Sequence, residues 1–414
     1  MLTHKQLLLC GGAVGHLAHL YDNRDLTFGE MKELLSSAAT GKLKKVSEKL
    51  DGMNLVISWD VAGDDLRAAR NAGDIKSGGM NAEAIAAKFY GRGNVEEAFT
   101  TAFKVLKDAI SSLPQKTKIR VFGDSANKWY SAEIIYVNNP NVINYDSNHV
   151  VFHGWPVFEV SESGEVSRTS DDSGVEVLQK NIEKMQRAVT VRNWSVGGPA
   201  LLQLKSLTDG TALNNALSKI SSAMSGAGVS DDNTLGDYLR TLLAEDVVAQ
   251  FDFDHGAVDA IVMRCLGEEG APSLNDIKKI VPKDRVAEVS NFVKSSGALV
   301  KKYIAPIEDA VNDFAIEVLK GLHSTLINDS DAEVARLRAE VTKAINAISS
   351  SGQDAAMEIL NRQLQKLGNI ENIAAAMEGV VFIYKGNAYK LTGSFAQVNQ
   401  ILGLFKYGRS GIKI

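Results

Sequence analysis

The sequence predicts an α+β fold in which a long helical segment separates two strand-rich parts. Between 54 and 160, short runs of β-branched and aromatic residues alternate with turn residues, a pattern typical of strands. From about 165 to 375, apolar residues recur every three or four positions, as on one face of a helix. Strand patterns return at Gly379–Tyr384 and Ala388–Thr392 around the turn Lys385-Gly386-Asn387, which predicts a hairpin completing the earlier sheet. We therefore expect one domain built from 1–160 and 376–414, interrupted by 161–375.

The first segment is predicted to begin with a helix and to continue into strands. Thr27 and Glu30 have the spacing of a helix capping box ahead of an apolar face. Asn54–Trp59 and Leu66–Ala69 are expected to pair as a hairpin around Gly63-Asp64-Asp65. Two helices and three strands should follow: helices at Asn81–Lys88 and Val95–Ser112, and strands at Lys118–Phe122, Ser131–Val137 and Val150–Val160.

The middle segment is predicted to be a helical insertion. Its expected helices are Val175–Ala188, Thr234–Ala244, Leu274–Val281, Arg285–Lys294, Ile307–Ile327 and Asp331–Ile348. Several basic residues fall together in it: Lys278, Lys279, Lys283, Arg285, Lys294, Lys301 and Lys302. Such residues usually form a solvated face, and a face that grips nucleic acid is the alternative.

The composition is that of an ordinary globular protein, with 45% hydrophobic and 23% charged residues. The net charge of -5 argues against a uniformly basic surface but leaves room for a local basic groove. Cys10 and Cys265 lie far apart in the sequence, so we expect neither a disulfide framework nor a zinc site, and a reducing, cytoplasmic location fits. The apolar run near the N-terminus is too short for a signal peptide, and no run is long enough to span a membrane.

The segment Glu48-Lys49-Leu50-Asp51-Gly52-Met53-Asn54 places a K-x-D-G pattern just before a predicted strand. A lysine amine is protonated at neutral pH and becomes a nucleophile when burial or a nearby cation lowers its pKa. The acid two residues later can orient the amine, and the glycine lets the backbone approach a phosphate or a ribose. Lysine and aspartate before glycine are also ordinary turn residues. The pattern alone therefore leaves both a catalytic lysine and a plain turn open.

Five further segments follow along the chain. They are Arg70-Asn71-Ala72-Gly73-Asp74, Ser131-Ala132-Glu133-Ile134-Ile135, Val150-Val151-Phe152-His153-Gly154, Glu378-Gly379-Val380-Val381-Phe382 and Tyr389-Lys390-Leu391-Thr392. In this order, and with the lysine segment, they resemble the motifs of the covalent nucleotidyltransferase superfamily, which contains polynucleotide ligases and RNA-capping enzymes. The form with Glu48 in front and Asn54 behind is most similar to the nick-sealing RNA ligases. Two positions depart from the family pattern, since Ala132 stands where most members have glycine and Thr392 replaces a lysine.

The resemblance implies a ligase-type nucleotidyltransferase domain, with antiparallel sheets and flanking helices, and a role for each matching residue. Lys49 would be the covalent nucleophile, and Asp51 and Lys390 would also be catalytic. The nucleotide would be contacted by Glu48, Arg70, Glu133, Phe152, Glu378 and Lys390. Among these, Arg70 and Lys390 would meet the phosphates, Glu133 the ribose and Phe152 the base. Glu378 and Asp51 would hold Mg²⁺, and Asn54 would position the acceptor strand.

The implied activity is that of an ATP-dependent polynucleotide ligase, with an RNA ligase of nucleic-acid repair as the first expectation. Lys49 would form lysyl-AMP and pass AMP to the 5′-phosphate of an RNA or DNA end, which is then joined to a 3′-hydroxyl. DNA ligases and capping enzymes carry an OB barrel after the last motif, and the 22 residues that follow Thr392 are too few to build one, which favours RNA joining. Two alternatives stay open: a DNA ligase-like enzyme that uses the helical insertion as a clamp, and an inert or protein-directed relative that only binds nucleotide.

Overall fold

The computed structural model describes residues 17–198, 202–322, 331–352, 354–373, 377–393 and 395–408. Their described parts divide into two compact units, each with its own interior. The sheet unit comprises Lys44–Leu204 and Leu319–Ile414, and the helical unit comprises Ala18–Leu43 and Lys205–Val318. The fold is mixed α+β, as expected.

The described residues contain nine strands, all in the sheet unit. They are β1 (Ser47–Lys49), β2 (Met53–Asp60), β3 (Asp65–Ala69), β4 (Lys128–Ile135), β5 (Asn148–Val160), β6 (Val166–Thr169), β7 (Trp194–Gly197), β8 (Gly379–Tyr384) and β9 (Asn387–Thr392).

The described helices are divided between the two units. The sheet unit has α2 (Ala72–Lys76), α3 (Ala82–Phe89), α4 (Asn94–Ser111), α5 (Gln115–Phe122), α6 (Asp172–Ala188), α12 (Asp331–Ser349), α13 (Asp354–Leu367) and α14 (Phe395–Gly408). The helical unit has α1 (Phe28–Ala39), α7 (Thr211–Gly226), α8 (Leu235–Phe251), α9 (His255–Leu266), α10 (Leu274–Ile280) and α11 (Val286–Lys320), whose last two residues pass its boundary.

The strands form two sheets joined by a short link. One sheet is three-stranded and antiparallel, in the order β1-β8-β9. The other has the antiparallel order β3-β2-β4-β5-β6, and β7 lies parallel to β5. The K-x-D-G pattern lies where the chain leaves β1 of the first sheet and enters β2 of the second. Both predicted hairpins, β2–β3 and β8–β9, are confirmed.

The larger sheet buries one face in the main hydrophobic core. Side chains alternate between the two faces of a strand, so every second residue of β2 and β4 points into this core, as do Val150 and Phe152 of β5. Leu55, Ala132 and Phe152 are examples, and all are at most 1% exposed. The apolar stripe of α4, with Phe99 and Leu106, covers them together with residues of α3, α5 and α6.

Two predicted elements are wrong. The residues Lys118–Phe122 are helical, as part of α5, although their β-branched residues favour a strand. Pro114 before the helix and Gly123 after it, with φ 77°, are the usual residues at these two ends. The two helices expected at Arg285–Lys294 and Ile307–Ile327 are one helix, α11, which continues past Pro306. Residues 323–327 of the second prediction lie outside the described part.

The segment boundaries also differ from the predicted ones at 160 and 375. Beyond 160, β6 and β7 extend the larger sheet, and α12 and α13 also belong to the sheet unit. Conversely, α1 belongs to the helical unit, since the Phe28 N–H donates to the Asn233 carbonyl at 3.0 Å and its ring meets the edge of Tyr238. The predicted capping box of α1, Thr27 with Glu30, is confirmed. Both differences in the segment boundaries arise because segments that are distant in the sequence pair with each other.

In the described part of the chain, no helix combines the length and the apolar character that crossing a membrane requires. Cys265 is a free, half-buried thiol, and Cys10 lies outside the described residues.

Candidate active site

Lys49 is the last residue of β1, and its Nζ forms an ion pair with a carboxylate oxygen of Glu378. The two side chains are only 20% and 15% exposed. The strand register places Lys49 opposite Gly379, the residue that follows Glu378. A Cβ on Gly379 would lie 2.3 Å from the Leu391 carbonyl oxygen, so only glycine lets β8 approach β9 this closely. The E-G pair of the sequence therefore brings a carboxylate to the lysine.

Burial raises the pKa of the Glu378 carboxyl above its ordinary value. The attraction of Lys49 opposes this effect, whereas the negative charges of Asp51 and Glu133 add to the rise in the pKa of Glu378. The four side chains thus form one electrostatic cluster around the lysine amine. A carboxylate whose pKa is raised by burial holds a proton more tightly. Beside an amine it is therefore a good acceptor for the amine's proton.

The link between the sheets runs directly over β4. A Cβ on Gly52 would lie 2.6 Å from the Ile134 carbonyl oxygen and 2.8 Å from Glu133 Cγ. No side chain fits there, so the glycine allows a close approach of two backbones, whereas the sequence predicted an approach to a phosphate or a ribose. The crossing brings the lysine segment next to Glu133.

Asp51 is buried and binds backbone rather than facing open space. Its Oδ2 accepts hydrogen bonds from the N–H groups of Val142 and Ile143, both at 2.8 Å. Its own N–H donates to Tyr145 Oη at 3.1 Å. Burial raises the pKa of Asp51, and the two backbone N–H groups oppose that rise. This carboxylate thus holds the 142–145 loop against the lysine segment, and its predicted metal-holding and catalytic roles stay predictions.

Helix α12 holds the same loop from its other side. The Asn144 N–H donates to Glu333 Oε1 at 3.0 Å, and Arg336 Nη2 donates to the Val142 carbonyl at 2.8 Å. Arg336 also forms a two-point ion pair with Glu333, at 2.7 and 2.8 Å. The chain of contacts runs from α12 through the loop to Asp51, two residues from Lys49.

The face of the larger sheet that points away from α4 carries polar residues beside the lysine. Asn54 of β2 lies opposite Glu133 of β4, and Glu133 Oε2 is 3.2 Å from His153 Nε2. The Oδ1 atom of Asn54 is buried and has no hydrogen-bond partner among the described residues. A buried acceptor without a donor is unfavourable, so this oxygen is a candidate contact for a ligand.

Arg70 stands at the end of β3 and donates a hydrogen bond to the Asn54 carbonyl. Burial lowers the pKa of Arg70, and the Glu133 charge opposes this. The following turn is fixed by two side chains: Asn71 Oδ1 accepts from the Asp74 N–H, and Asp74 Oδ2 accepts from the Arg70 N–H, both at 2.8 Å. The R-N-x-x-D pattern is thus a helix cap directly after the arginine, whose guanidinium lies 4.8 Å from the centre of the Phe99 ring.

Two predicted nucleotide contacts lie on the wrong face. Phe152 is 1% exposed in the main core, because it pairs with Ala132 on the α4 side of the sheet. The next residue, His153, is the ring that reaches Glu133. Glu48 is 3% exposed and, by alternation along β1, lies on the opposite face from Lys49. The sequence offered no signal for His153, since nothing local distinguishes the face of one residue from that of its neighbour.

A cavity of about 290 Å³ opens on the same face of the small sheet as Lys49. Its wall includes Ser47, two residues before Lys49, and Val381, which lies opposite Ser47. Trp155 of β5 also lines it. Lys390 of β9 pairs with Val381 and so occupies this face as well. Ligand pockets in proteins start at about this size and combine apolar walls with a few polar groups.

The structure therefore gathers Lys49, Asp51, Asn54, Arg70, Glu133 and Glu378, and it places Lys390 on the lysine's face. It adds His153, Tyr145, Glu333 and Arg336, which the sequence did not indicate. Among the described residues, no group of three or more His, Cys, Asp or Glu is placed to hold a metal ion. No protein-family model, no curated protein and no solved structure matches this chain.

Proposed function

We propose that the sheet unit is a ligase-type, ATP-dependent nucleotidyltransferase that joins RNA ends through a lysyl-AMP intermediate. The observation that supports this most directly is the pairing of Lys49 with Glu378 at the joint between the two sheets. A half-buried lysine beside a carboxylate with a raised pKa has both a nucleophile and a proton acceptor in place.

In the first half-reaction the Lys49 ammonium gives a proton to Glu378, and the neutral nitrogen attacks the α-phosphorus of ATP. The N–P bond forms, the bond to the bridging oxygen breaks, and pyrophosphate leaves. Arg70 supplies positive charge near the α-phosphate. The Gly52 crossing and the Asp51 contacts hold the lysine segment against the sheet, which fixes the direction of attack.

The cavity on the lysine's face of the small sheet is the candidate site for the base of the nucleotide, and its wall also includes Lys45, Asp172 and Glu176 but not Lys49. Trp155 and Val381 offer apolar surfaces to a flat ring, and Ser47 adds a hydroxyl. This assignment replaces the one made for Phe152, which is inside the core. Glu133, held by His153, remains the candidate for the ribose hydroxyls.

Mg²⁺ fits the carboxylate side of this site, because the ion is commonly bound through one or two carboxylates and the phosphates of its substrate. Glu133 is the residue that would hold it, because Glu378 takes the Lys49 proton in this scheme and Asp51 accepts hydrogen bonds from backbone N–H groups. When bound, the ion would neutralise charge on the phosphate oxygens.

In the second half-reaction, AMP passes from Lys49 to the 5′-phosphate of an RNA end. A 3′-hydroxyl then attacks that phosphate, the new phosphodiester forms, and AMP leaves. Asn54, with its unpartnered Oδ1, is the candidate contact for the acceptor strand. The preference for RNA rests on the resemblance carried by Glu48 and Asn54.

Intact mass spectrometry after incubation with Mg²⁺ and each nucleoside triphosphate tests the proposal. We expect a gain of one AMP with ATP, no gain in Lys49→Ala, and an unchanged gain in Lys104→Ala, which alters an exposed lysine of α4. An adduct in Lys49→Ala, or no adduct with any nucleotide, would contradict the proposal. In the second case, ATP binding without an adduct would support the inert relative.

Sealing assays on nicked RNA, nicked DNA and hybrid duplexes test the acceptor. We expect sealing to be fastest on nicked RNA. Faster sealing of nicked DNA would favour the DNA ligase-like alternative while leaving the lysyl-AMP step intact.

A further inference from the structure

After its first turn, the first half of α11 exposes lysines and no acid. Between 289 and 307 the chain has Lys294, Lys301 and Lys302 and neither aspartate nor glutamate. Lys294 and Lys301 are seven residues apart, so they lie two turns apart on one side of the helix, and Lys302 is adjacent. The opposite side is buried through Val289 and Phe292.

These lysines have no acidic partners within the described part of the chain. Neither Lys294 nor Lys301 forms an ion pair there, and Lys302 contacts only the ring of Tyr303, at 5.9 Å. A helix face that is merely solvated usually mixes both signs, with pairs three or four residues apart. Here the exposed positions between the lysines are small, namely Ser295, Gly297 and Ala298. A large anionic surface could therefore approach the helix closely.

The positive charge continues towards the N-terminal side of α11. From 277 to 307 there are seven basic and two acidic residues, although the whole chain has a net charge of -5. Lys278 and Lys283 are exposed and make no ion pair within the described residues, while Arg285 pairs with Glu288 at 3.0 Å. The second half of α11 is instead acidic, with Glu308, Asp309, Asp313 and Glu317. Charge is thus separated along a single helix.

We propose that this lysine face, defined as Lys294, Lys301 and Lys302, binds the phosphate backbone of duplex RNA. The choice of RNA rests on the proposed function, whereas the anionic character of the partner rests on the charge separation alone. Tyr303 is the aromatic residue beside Lys302, and its hydroxyl is bound to Asp246, so we expect stacking on unpaired bases to contribute little there. Binding through phosphates alone is independent of sequence and suits a backbone that is already ordered in a duplex.

The test compares two triple variants of the same helix. Lys294→Gln, Lys301→Gln and Lys302→Gln together remove three charges from the lysine face. Glu308→Gln, Asp309→Asn and Asp313→Asn together remove three charges from the acidic half as the control. Because the lysines are exposed, we expect the first variant to unfold at the wild-type temperature, which circular dichroism checks.

The measurement is the affinity for a nicked RNA duplex as a function of salt. The slope of log K against log salt falls by about 0.9 for each phosphate contact removed, so we expect the lysine variant to lose about two to three from this slope. The control variant should keep the wild-type slope. Equal slopes in the lysine variant and the wild type would overturn the proposal. The proposal would also be overturned if the lysine variant lost binding to anionic phospholipid vesicles while its RNA binding stayed unchanged.

The two proposals can fail separately. Lysyl-AMP formation needs no RNA, so the lysine variant should form the adduct at the wild-type rate. A protein that never forms the adduct, but whose RNA affinity depends on these lysines, would contradict the proposed enzyme and support the lysine face. A protein that forms the adduct and binds RNA equally well in both variants would support the proposed enzyme and contradict the lysine face.

Discussion

The two faces of the larger sheet are made from the same strands but have different roles. On the α4 side, Leu55, Ala132 and Phe152 are packed in the main core with almost no exposure. On the other side, Asn54 and Glu133 stand one residue away along the same strands and lie next to Lys49. The first face can only contribute stability, whereas the second combines partly buried charges with an unpartnered acceptor.

The contrast shows that a shift of one residue changes the role of a side chain completely. Phe152 and His153 are neighbours, yet one lies in the core and the other reaches the Glu133 carboxylate. Motif comparison tolerates such a shift, because it aligns residue types. Strand geometry does not, because the period of a strand is two residues.

The largest effect on stability should come from Phe152→Ala. Removing a fully buried aromatic ring costs about 3–5 kcal/mol in the free energy of unfolding, because a cavity remains. His153→Ala should change stability by less than about 1 kcal/mol but slow AMP transfer, since Glu133 loses its partner. Urea unfolding and single-turnover adduct formation measure the two effects. If Phe152→Ala kept its stability and lost the adduct, Phe152 would be the base-contacting ring after all.

Gly52→Ala should slow adduct formation strongly and cost about 1–3 kcal/mol of stability. The new methyl group would meet the Ile134 carbonyl at 2.6 Å and push the lysine segment off β4. Gly403→Ala in α14 is the matched control, because its Cβ would meet no atom within 4 Å. It should leave adduct formation unchanged and stabilise slightly. Equal adduct rates in the two variants would show that the close approach at Gly52 is unimportant.

Arg336→Met tests the contacts that run from α12 to the lysine segment. It removes the hydrogen bond to the Val142 carbonyl and leaves the buried Glu333 without its ion pair, at a cost of about 1–3 kcal/mol. Arg338→Met on the same helix is the control, since Arg338 binds the Ile373 carbonyl at 3.2 Å and not the loop.

Both Arg336→Met and Arg338→Met should lower the midpoint of urea unfolding. Only the former should also lower the rate of adduct formation at saturating ATP, because Asp51 and the loop it binds lose their support. A similar decrease in the rate of adduct formation in both variants would mean that Arg336 has only a structural role.

The smallest effect is a pH dependence of stability that comes from Glu378. Its folded pKa is raised, so below about pH 4.3, the ordinary glutamate value, both states hold the proton. As the pH rises through the folded pKa, the unfolded chain releases its proton first and the folded state is penalised. Glu378→Gln escapes this penalty, so its stability relative to the wild type should improve with rising pH and then level off.

Urea unfolding from about pH 4 to about pH 8 measures this difference. The Lys49 ion pair is already part of this trend, because its attraction acts on the ionised carboxylate and opposes the rise in the pKa of Glu378. Glu176→Gln is the control with the opposite sign, because Lys180 lowers the pKa of Glu176 and the variant should lose relative stability as the pH rises. A flat difference for Glu378→Gln would mean that its carboxyl titrates normally in the folded protein.

Most local features could be predicted from the sequence because they depend on neighbouring residues. The capping box of Thr27 with Glu30 and the β8–β9 turn are set within a few residues. The need for glycine at 52 and the gathering of Lys49, Glu133 and Glu378 depend on distant segments, and for these the sequence offered only the motifs. The strand expected at Lys118–Phe122 failed because its residue types favour a strand while its flanking proline and glycine favour a helix.

What the sequence by itself determined is the kind of chemistry available: a lysine in K-x-D-G, acids at fixed places along the chain, and strands that bring them near one another. Only the tertiary structure decided which of these residues face each other. Register excluded Glu48 and Phe152, and packing assigned Asp51 to the 142–145 loop. It also supplied Arg336, 285 residues beyond Asp51 in the numbering, as part of the same support. The physical reason is that face and partner depend on pairings between distant segments, which no local pattern encodes.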